Sequence, residues 1–332
     1  MARLRRTARR DPAREAERTL FFASDLHGSE TCFRKFVAAA AFYRADTLVL
    51  GGDLSGKQVV PIVAAGSDRW TAEVHGERRD LRTAELDGVE RSARAAGLYP
   101  RRMEPDEYAG YAADPATLGR LFDEVVAATL RRWVRYAQAK LADTGVVIYS
   151  IPGNDDPPVV DDVMRAESDE RFRFVEGEVV EVAPGHEMLC TGYTNVTPWR
   201  THREYSEEEI AARLRSLTGR LSSPGSAIFN VHVPPFDSGL DTAPLLGAGL
   251  EVRTAAGGQL TGPVGSTAVR AAIEEHQPLL GLHGHIHESG GIVHIGRTTV
   301  VNPGSEYGEG ILRGVLLTVG GGRLLRHQAV CG

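Results

Sequence analysis

The sequence predicts an α/β fold, a four-layer α-β-β-α sandwich in which two packed mixed β-sheets are flanked by helices. From residue 19 onward, short apolar runs with β-branched or aromatic character recur along the chain, as is typical of strands buried on both faces. Helical stretches at 31–43 and 114–142 lie between the early runs, and this alternation favours helices on the outside of a sheet. Toward the C-terminus the runs leave no room for crossover helices, so we expect hairpins and meanders there.

The predicted strands each end in Gly, Asp, Asn or His or are followed directly by one of them. The early strands, in chain order, are "TLFFAS", "DTLVLG", "GVVIYSI", "SAIFNVH" and "PLLGLHG". The C-terminal strands are "GIVHIG", "TTVVNPG", "GILRGVLLTVG" and "GRLLRHQ". No internal repeat or low-complexity segment interrupts them, which favours a single domain over residues 19–332.

One region, at about residues 57–113, breaks the rhythm of the strands. Its first part, "RWTAEVHGERRDLRT", predicts a hairpin that turns at Gly76. The second part, "AELDGVERSARAAGLYP", predicts an amphipathic helix that ends before Pro100. A segment of this length between two strands is typical of an inserted lid or cap.

The bulk composition bounds the class of protein. The chain has 332 residues, 42% of them hydrophobic and 25% charged, as in ordinary globular proteins. The net charge of −6 argues against a nucleic-acid-binding protein, which usually carries a basic domain. Three scattered cysteines indicate neither a disulfide framework nor a cysteine zinc site, and they fit a reducing cytoplasm.

The N-terminal segment argues against membrane association. Residues 1–18 are rich in Arg and lack the apolar core of a signal peptide, so we expect a flexible, solvated tail. The alternative is a tail that anchors the protein to RNA or to an acidic surface. No run in the chain approaches the roughly 18 apolar residues that a membrane helix requires.

The stretch "DTLVLGGDLSGKQVV", residues 46–60, allows two interpretations. Gly51, Gly56 and Lys57 fit the G-x-x-x-x-G-K spacing of a phosphate-binding loop. Such a loop requires Ser or Thr next, to place a hydroxyl on Mg²⁺, and here the residue is Gln58. In the second interpretation, Asp53 is a metal-bridging carboxylate at the tip of a strand.

Metal-ligating residue types follow five of the predicted strands. They are Asp25 and His27, Asp53, Asn154 with Asp155, His232, and His283, His285 and His287. Ligands of open α/β sheets bind outside the carboxyl ends of the strands, so we expect these side chains at one edge. Taken singly, each is more often a turn or cap residue, but their joint occurrence is specific. Carboxylate together with imidazole suits Mn, Fe, Zn or Co better than Ca or Mg.

The order of these blocks resembles that of the calcineurin-like metallophosphoesterases. The family blocks D-x-H, G-D, G-N-H-[DE], H and G-H-x-H correspond to "DLH", "GGD", "GND", "VH" and "GHIH". The chain is most similar to bacterial and archaeal phosphoesterases related to cyclic-nucleotide phosphodiesterases, which often end with a block like "NPGS", here residues 302–305. The resemblance implies a β-sandwich flanked by helices.

The resemblance also implies a dinuclear metal centre that holds two divalent metal ions, with Mn²⁺ preferred and Fe, Zn or Co as alternatives. One ion takes Asp25, His27, Asp53 and His287, and the second takes Asp53, Asn154, His232 and His285. Asp53 bridges, the phosphate-loop interpretation fails, and Lys57 becomes an ordinary turn residue. The implied activity is hydrolysis of a phosphoric ester by a hydroxide held between the metals, with no covalent protein intermediate. Asn154, Asp155 and His232 are the catalytic candidates.

The chain departs from the family pattern at Asp155, where the family usually has His. A carboxylate near two cations stays ionised, so it is a poor general acid at neutral pH. At about 5 Å and an effective dielectric of about 20, each added phosphate charge costs about 3 kcal/mol beside it. Because a monoester carries one charge more than a diester, this predicts a phosphodiesterase, with a preference for phosphodiesters or activated leaving groups over phosphomonoesters. The alternatives are that Asp155 points away or that the enzyme is weak.

Further candidates for substrate contact lie on the loop in residues 193–209, which precedes a helix. They are Asn195, Trp199, Arg200 and His202, for which base stacking and phosphate binding compete with loop packing. His283 either assists the site or makes hydrogen bonds within its turn. The expected partner is a small-molecule phosphoester, with nucleotides among the candidates. The alternatives are a catalytically weak binding or scaffold protein and a nuclease, the latter opposed by the acidic charge.

Overall fold

The computed structural model describes residues 17–332 apart from residues 75, 248 and 256. The predicted tail therefore lies outside the described residues up to residue 16, and Arg18 already belongs to the first strand. Within the described ranges the helices are α1 (Glu30–Phe42), α2 (Leu86–Ala95), α3 (Pro105–Ala113), α4 (Pro115–Leu141), α5 (Val159–Glu167), α6 (Glu207–Thr218) and α7 (Thr267–His276). The strands are β1 (Arg18–Ala23), β2 (Thr47–Leu50), β3 (Val59–Ala64), β4 (Arg69–Val74), β5 (Glu77–Arg82), β6 (Tyr99–Met103), β7 (Val147–Ser150), β8 (Phe172–Phe174), β9 (Val179–Ala183), β10 (His186–Thr191), β11 (Thr194–Asn195), β12 (Glu204–Tyr205), β13 (Ile228–Val231), β14 (Thr242–Pro244), β15 (Thr254–Ala255), β16 (Gly258–Gln259), β17 (Thr261–Pro263), β18 (Leu280–Leu282), β19 (Gly291–Ile295), β20 (Thr298–Asn302), β21 (Arg313–Gly320) and β22 (Arg323–Cys331).

Two six-stranded mixed sheets form the body of the protein. The first has the order β22-β21-β1-β2-β7-β8, in which the last four strands are parallel and β21 and β22 are added antiparallel. The second has the order β19-β20-β18-β13-β10-β9, with four parallel strands between two antiparallel edge strands. The C-terminal hairpins predicted from the sequence are thus confirmed as β19–β20 and β21–β22.

The strand register brings the loops after the parallel strands to a common edge. Ala23 of β1 pairs with Leu50 of β2, and Leu50 pairs with Ser150 of β7, so these three strands end at the same level. In the second sheet, Asn230 near the end of β13 pairs with Leu282, the last residue of β18. The chain segments that follow these strands carry the metal-ligating residue types.

Three buried apolar clusters hold the sheets and helices together. One joins side chains of both sheets, such as Phe22 and Val49 with Met188, Ile228 and Leu280. Burial of such side chains removes apolar surface from water, which is the dominant stabilising contribution to a fold of this size.

The other two clusters join each sheet to helices. The first sheet packs its residues Phe21 and Leu48 against helical side chains that include Trp133 of α4. The second sheet packs Phe229 against Ile210 of α6 and further helical residues. The protein therefore has a mixed α/β fold, with mixed sheets and helices sharing continuous cores.

The two helices predicted at 31–43 and 114–142 are confirmed as α1 and α4. Ser29 caps α1 by accepting a hydrogen bond from the backbone N–H of Cys32. Asp114 caps α4, and Pro115 occupies its first turn, where a backbone donor is not needed. None of the helices in the described ranges has the length and apolar character required to cross a bilayer.

The segment between β2 and α4 forms a small sheet of its own with the order β5-β4-β3-β6. The predicted hairpin is confirmed as the antiparallel pair β4–β5, with Gly76 in the turn between them. The predicted helix before Pro100 is confirmed as α2. The small sheet has a core that contains Ile62, Ala72 and Leu86. A role as a lid or cap stays a prediction.

Candidate metal centre

The candidate ligands lie on loops that are joined to one another by backbone hydrogen bonds. The backbone N–H of Asp25 donates to the carbonyl of Gly52 (3.0 Å), and that of His27 donates to the carbonyl of Asp53 (2.9 Å). Likewise, the N–H of Gly284 donates to the carbonyl of His232 (2.9 Å). The loops after β1 and β2 are therefore held together, as are the loops after β13 and β18, and a hydrogen bond between His232 and the carbonyl of Gly51 links the two pairs.

Several of these residues have strained backbones. Among the non-glycine residues described, four with positive φ are candidate ligands, namely Asp25 (57°), His27 (42°), Asp53 (51°) and His285 (67°). A side chain disfavours this region, and such conformations cluster at functional sites, where the surrounding structure enforces them. The strain therefore supports a functional role for this edge of the sheets.

The first group of potential ligands comprises Asp25, His27, Asp53 and His287, with one ligand atom from each lying within 4.8 Å of the others. The Nε2 atoms of His27 and His287 are 3.0 Å apart. Nε2 of His287 lies 3.4 Å from Oδ1 of Asp25, and Nε2 of His27 lies 3.5 Å from Oδ2 of Asp53. These nitrogen and oxygen atoms converge on a common point, as metal ligands do.

The second group comprises Asp53, His232 and His285, and its ligand atoms lie within the same 4.8 Å limit. Nε2 of His232 is 3.3 Å from Oδ2 of Asp53. Asp53 thus belongs to both groups, and the same carboxylate oxygen faces a histidine of each group.

Asn154 stands beside Asp53 with its amide fixed by neighbours. Its Nδ2 donates to Oγ1 of Thr201 (2.8 Å) and to Oδ1 of Asp155 (3.2 Å). Its Oδ1 is buried and has no hydrogen-bond partner. The amide therefore presents a free oxygen acceptor, which is the ligand atom that an asparagine offers to a metal.

The residues present fit a pair of divalent cations. Nδ1 of His232 donates to the carbonyl of Gly51 (2.7 Å), which fixes the ring so that Nε2 is the nitrogen that an ion can take. That Nε2 is buried without a hydrogen-bond partner, as is Oδ1 of Asn154. Unpartnered buried polar atoms are costly and rare, and a cation between them satisfies both. Aspartate and histidine together are a donor set suited to Mn, Fe, Zn or Co.

In the ion-free centre, burial and the charges of neighbouring groups shift the pKa values of the candidate ligands in opposite directions. Burial alone lowers the pKa of His232, but the charges of Asp53 and Asp25 outweigh it and raise the pKa to about 10. Burial lowers the pKa of His27 and of His285 to about 4. For Asp25, burial opposes ionisation, yet His287 and His232 lower the pKa to about 2.

Asp156 braces the loops that carry Asp53 and Asn154. Its carboxylate accepts hydrogen bonds from the backbone N–H groups of Leu54 (3.0 Å), Ser55 (2.7 Å) and Gly153 (2.9 Å). It is fully buried. No role for Asp156 was predicted from the sequence, although "GNDD" contains this second carboxylate directly after Asp155.

Asp155 was expected from the sequence to be an unpaired charge, but in the structure it has a partner. Its Oδ2 forms an ion pair of 2.8 Å with Nζ of Lys57. Its backbone N–H donates to Oδ1 of Asp53 (3.0 Å). The interpretation of Lys57 as an ordinary turn residue is therefore corrected, because its side chain reaches back to the edge of the centre.

The candidates for substrate contact separate into two sets. The side chains of Trp199, Arg200 and His202 are exposed on the loop before α6, next to Asn154, whose carbonyl accepts a hydrogen bond from the N–H of His202 (3.2 Å). Asn195 instead donates its amide to the carbonyl of Val264 (3.1 Å), which corresponds to loop packing. For the first three residues, substrate contact stays a prediction.

His283 is buried and turned toward backbone. Its Nδ1 lies 2.7 Å from the carbonyl oxygen of Val231 and 2.9 Å from that of Val233. Burial lowers the pKa of His283 to about 4, so the ring is neutral. The carbonyls belong to the residues that flank His232, which favours hydrogen bonding within the turn over direct assistance to the reaction.

Two residues near the centre, Tyr307 and Thr201, were not predicted from the sequence. The ring of Tyr307 lies 4.6 Å from that of His27 and 5.9 Å from that of His287, centroid to centroid. Thr201 accepts the amide of Asn154 and donates to Oε1 of Glu204 (2.7 Å). Tyr307 follows the "NPGS" block by two residues, which was its only hint.

Comparisons with known proteins support the fold more than the activity. No protein-family profile matches the chain. An uncharacterized protein of Methanocaldococcus jannaschii, MJ1162, is 32% identical over 168 residues, which are 50% of this chain and 66% of that protein. The match therefore spans just under two thirds of that protein's length.

Solved structures resemble the whole chain at low sequence identity. One crystal structure covers 95% of this chain and 98% of its own, with a TM-score of 0.54 and 16% identity, which shows a shared fold. A structure from Thermus thermophilus has a TM-score of 0.46 and 16% identity over 91% of this chain and 98% of its own. An archaeal phosphodiesterase has a TM-score of 0.38 and 10% identity over 95% and 99%, a likeness too low to inform function.

Proposed function

We propose that the protein is a dinuclear metal-dependent phosphoric ester hydrolase with the four-layer α-β-β-α sandwich of the calcineurin-like metallophosphoesterases. The observation that carries the proposal is the position of Asp53, whose Oδ2 faces His27 of one ligand group and His232 of the other. A carboxylate shared by two groups is the arrangement that a two-metal site requires. The five ligand-bearing blocks, in family order, support the same assignment.

The ligand assignment follows the two groups. Asp25, His27, Asp53 and His287 would hold one divalent ion. Asp53, His232 and His285 would hold the second, with Asn154 supplying the unpartnered amide oxygen beside them. Bound there, Mn²⁺, Fe, Zn or Co ions supply Lewis acidity toward a phosphoryl group and a lowered pKa of bound water.

The residues of the chain contribute position and charge to this chemistry. Asp53 fixes the separation of the two ligand groups, and the carbonyl of Gly51 holds the ring of His232 in one tautomer. The N–H of Asp155 donates to Oδ1 of Asp53, which leaves Oδ2 for the centre. Strained loops that are already in place need little rearrangement when ions and substrate bind.

The proposed substrate is a phosphodiester of small-molecule size, with nucleotides among the candidates. The ion pair with Lys57 cancels most of the penalty that an unpaired Asp155 imposes on a doubly charged monoester. A pair that is neutral as a whole still offers no excess positive charge for the second charge of a monoester. We therefore propose a preference for diesters that is smaller than an unpaired carboxylate would give. The free cysteines in the described chain, two of them buried, agree with the proposed cytoplasmic location.

The experiment that tests this proposal compares bis(p-nitrophenyl) phosphate with p-nitrophenyl phosphate. The protein is stripped of ions, reloaded with Mn²⁺ and analysed for bound metal before turnover is measured. We expect two ions per chain, metal-dependent turnover that is higher for the diester, and loss of both in Asp53→Asn. The control is Arg220→Gln, which removes an exposed ion pair with Glu178 and a hydrogen bond to the carbonyl of Gly177, outside both ligand groups.

The outcomes separate the remaining functions. Two bound ions with no turnover of either ester would favour a binding or scaffold protein. Salt-dependent affinity for single-stranded nucleic acid would favour a nuclease. Failure to bind ions, with the fold intact by circular dichroism, would overturn the proposal.

A further inference from the structure

A single ammonium group lies at the rim of the candidate metal centre. Nζ of Lys57 is 2.8 Å from Oδ2 of Asp155, and the two side chains are 51% and 23% exposed. The ammonium therefore sits where a solvent-borne substrate can reach it, while Asp155 limits its motion.

The carboxylate that holds this ammonium is itself tied to the centre. The N–H of Asp155 donates to Oδ1 of Asp53 (3.0 Å), and Nδ2 of Asn154 lies 3.2 Å from its Oδ1. Lys57 is thus one side chain removed from the carboxylate that both ligand groups share.

Lys57 retains hydrogen-bonding capacity beyond its ion pair. An ammonium carries three N–H donors and no acceptor. In the described part of the chain, Asp155 is the hydrogen-bonding partner of Lys57, so two donors remain. Ionised Asp155, by contrast, can only accept hydrogen bonds, and a phosphoryl oxygen has no proton to donate to it.

A phosphoester at this centre presents oxygen atoms that the metal ligands do not serve. The candidate ligands are carboxylates, imidazoles and an amide oxygen, whose lone pairs converge on the ion sites. Charge that develops on the phosphoryl and leaving-group oxygens is stabilised by positioned donors, and a charged donor is the stronger kind. At the rim of this centre, Lys57 is a charged donor that Asp155 holds in place.

We propose that Lys57, oriented by Asp155, contacts the phosphoryl and leaving-group oxygens of the substrate, in the place of the histidine that the family carries after the asparagine. Asp155 is a positioning residue that acts through Lys57. This inference rests on the proposed function. Taken separately, Lys57 would be an unused side chain in a turn, and Asp155 would be only the loss of the family's histidine. Taken together, the two residues share one role.

The alternative is an ion pair that only fastens the turn after β2 to the loop after β7. An exposed ion pair of this kind contributes little to stability. In that case Lys57 affects phosphate only by neutralising Asp155, so removing both charges together leaves the phosphate affinity unchanged. The two roles therefore differ in what happens when inorganic phosphate binds to the ion-loaded protein.

The test measures the affinity of Mn²⁺-loaded protein for inorganic phosphate by calorimetry, with metal content and turnover of bis(p-nitrophenyl) phosphate determined on the same samples. Lys57→Gln is expected to bind phosphate about 10- to 100-fold more weakly while keeping its two ions, because a charge-assisted hydrogen bond is lost. Lys57→Arg is expected to retain most of the affinity. Arg220→Gln, which breaks the exposed pair with Glu178, serves as the matched control.

A double variant separates positioning from fastening. In Lys57→Gln with Asp155→Asn, the carboxylate charge is removed together with the ammonium, so a contact between Lys57 and phosphate predicts an affinity that stays about tenfold or more below wild type. A fastening role predicts the affinity of wild type, because the net charge of the pair is unchanged. Phosphate binding that is unchanged in Lys57→Gln with two ions bound overturns this inference alone. Wild-type protein that binds neither ions nor phosphate overturns the proposed function as well.

Discussion

Gly97 packs directly against the backbone carbonyl of His27, so closely that a Cβ atom on Gly97 would overlap the carbonyl oxygen. Gly56 lies on the other side, and a Cβ there would overlap the carbonyl of Gly97. Gly97 follows α2 of the inserted segment, whereas His27 follows β1. The insertion is therefore in backbone contact with a loop that carries a candidate metal ligand, and it helps to shape that loop.

The first prediction concerns Gly97→Ala. The residue has φ of +79°, a region that alanine disfavours, and its Cβ meets backbone that cannot move without moving His27. We expect a loss of about 2 kcal/mol or more in the free energy of unfolding, together with weaker ion binding. Urea unfolding of ion-free protein and metal analysis after reloading measure the two effects.

Gly119→Ala is the matched control for this prediction. Gly119 lies within α4, and nothing surrounds its Cβ position within 4 Å. Alanine there should stabilise the protein by about 0.5–1 kcal/mol and leave ion binding unchanged. Equal behaviour of the two variants would contradict the role assigned to the contact between Gly97 and His27.

The second prediction concerns Thr201→Val, which keeps the shape of the side chain and removes its hydroxyl. That hydroxyl accepts a hydrogen bond from Nδ2 of Asn154 (2.8 Å), which directs the amide oxygen away from Thr201. Loss of a hydrogen bond that orients a ligand typically weakens metal affinity about 10- to 100-fold, and we expect this for one of two ions. Calorimetric titration with Mn²⁺ resolves the two binding steps.

Thr197→Val provides the comparison, because Thr197 also donates to Glu204 but has no hydrogen bond to Asn154. Its effect should be confined to the stability of the loop. Two unaltered binding steps in Thr201→Val would show that the amide is oriented by Asp155 alone.

The sequence predicted the strand ends but not the contacts between them. Asp25, Asp53 and His232 each follow a short apolar run, so a local pattern placed them at one edge of the sheets. The pair Lys57–Asp155 joins residues 98 positions apart by a side-chain contact, which no local pattern encodes. For the same reason the sequence analysis treated Asp155 as a free charge and left Lys57 without a role.

Residue type alone also left open what some polar side chains do. His283 and Asn195 lie close to ligands or substrate candidates in the sequence, yet the side chains of both form hydrogen bonds to backbone carbonyls. Burial requires such groups to find partners, and which partner is nearest depends on tertiary packing. Tyr307 illustrates the converse, because a ring near two candidate ligands arises from a turn that the pattern of strands does not specify.

The third prediction tests the structural role of His283. In His283→Ala the carbonyls of Val231 and Val233 lose the ring nitrogen that lies within 2.9 Å of each. Leaving buried acceptors unsatisfied should cost about 1–3 kcal/mol in the free energy of unfolding. Denaturant titration of the ion-free protein measures this loss. Unchanged stability combined with a raised KM for the diester would instead support direct contact with substrate.

The fourth prediction concerns protons released when ions bind. Burial disfavours the charged ring of His232, but Asp53 and Asp25 raise its pKa to about 10, so at pH 7 the ion-free protein holds a proton there. An ion that takes Nε2 must displace it. His27 and His285, with pKa values near 4, are already neutral and release none. The pKa of His287 is also raised, against burial, by Asp25, which adds to the release.

The sign of the pH dependence follows from the raised pKa. The stability that protonated His232 gives to the ion-free protein is fully present below its unfolded value of 6.5 and is lost as pH rises through about 10. Ion affinity changes in the opposite direction, increasing about tenfold per unit of pH from 7 upward for each proton displaced.

Calorimetry with Mn²⁺ at pH 7 in buffers of different ionisation enthalpy should therefore detect release of at least one proton. His294→Gln, outside both ligand groups, should match wild type, whereas His232→Asn should release about one proton fewer. Binding of two ions without any proton release would contradict the protonation state assigned to His232.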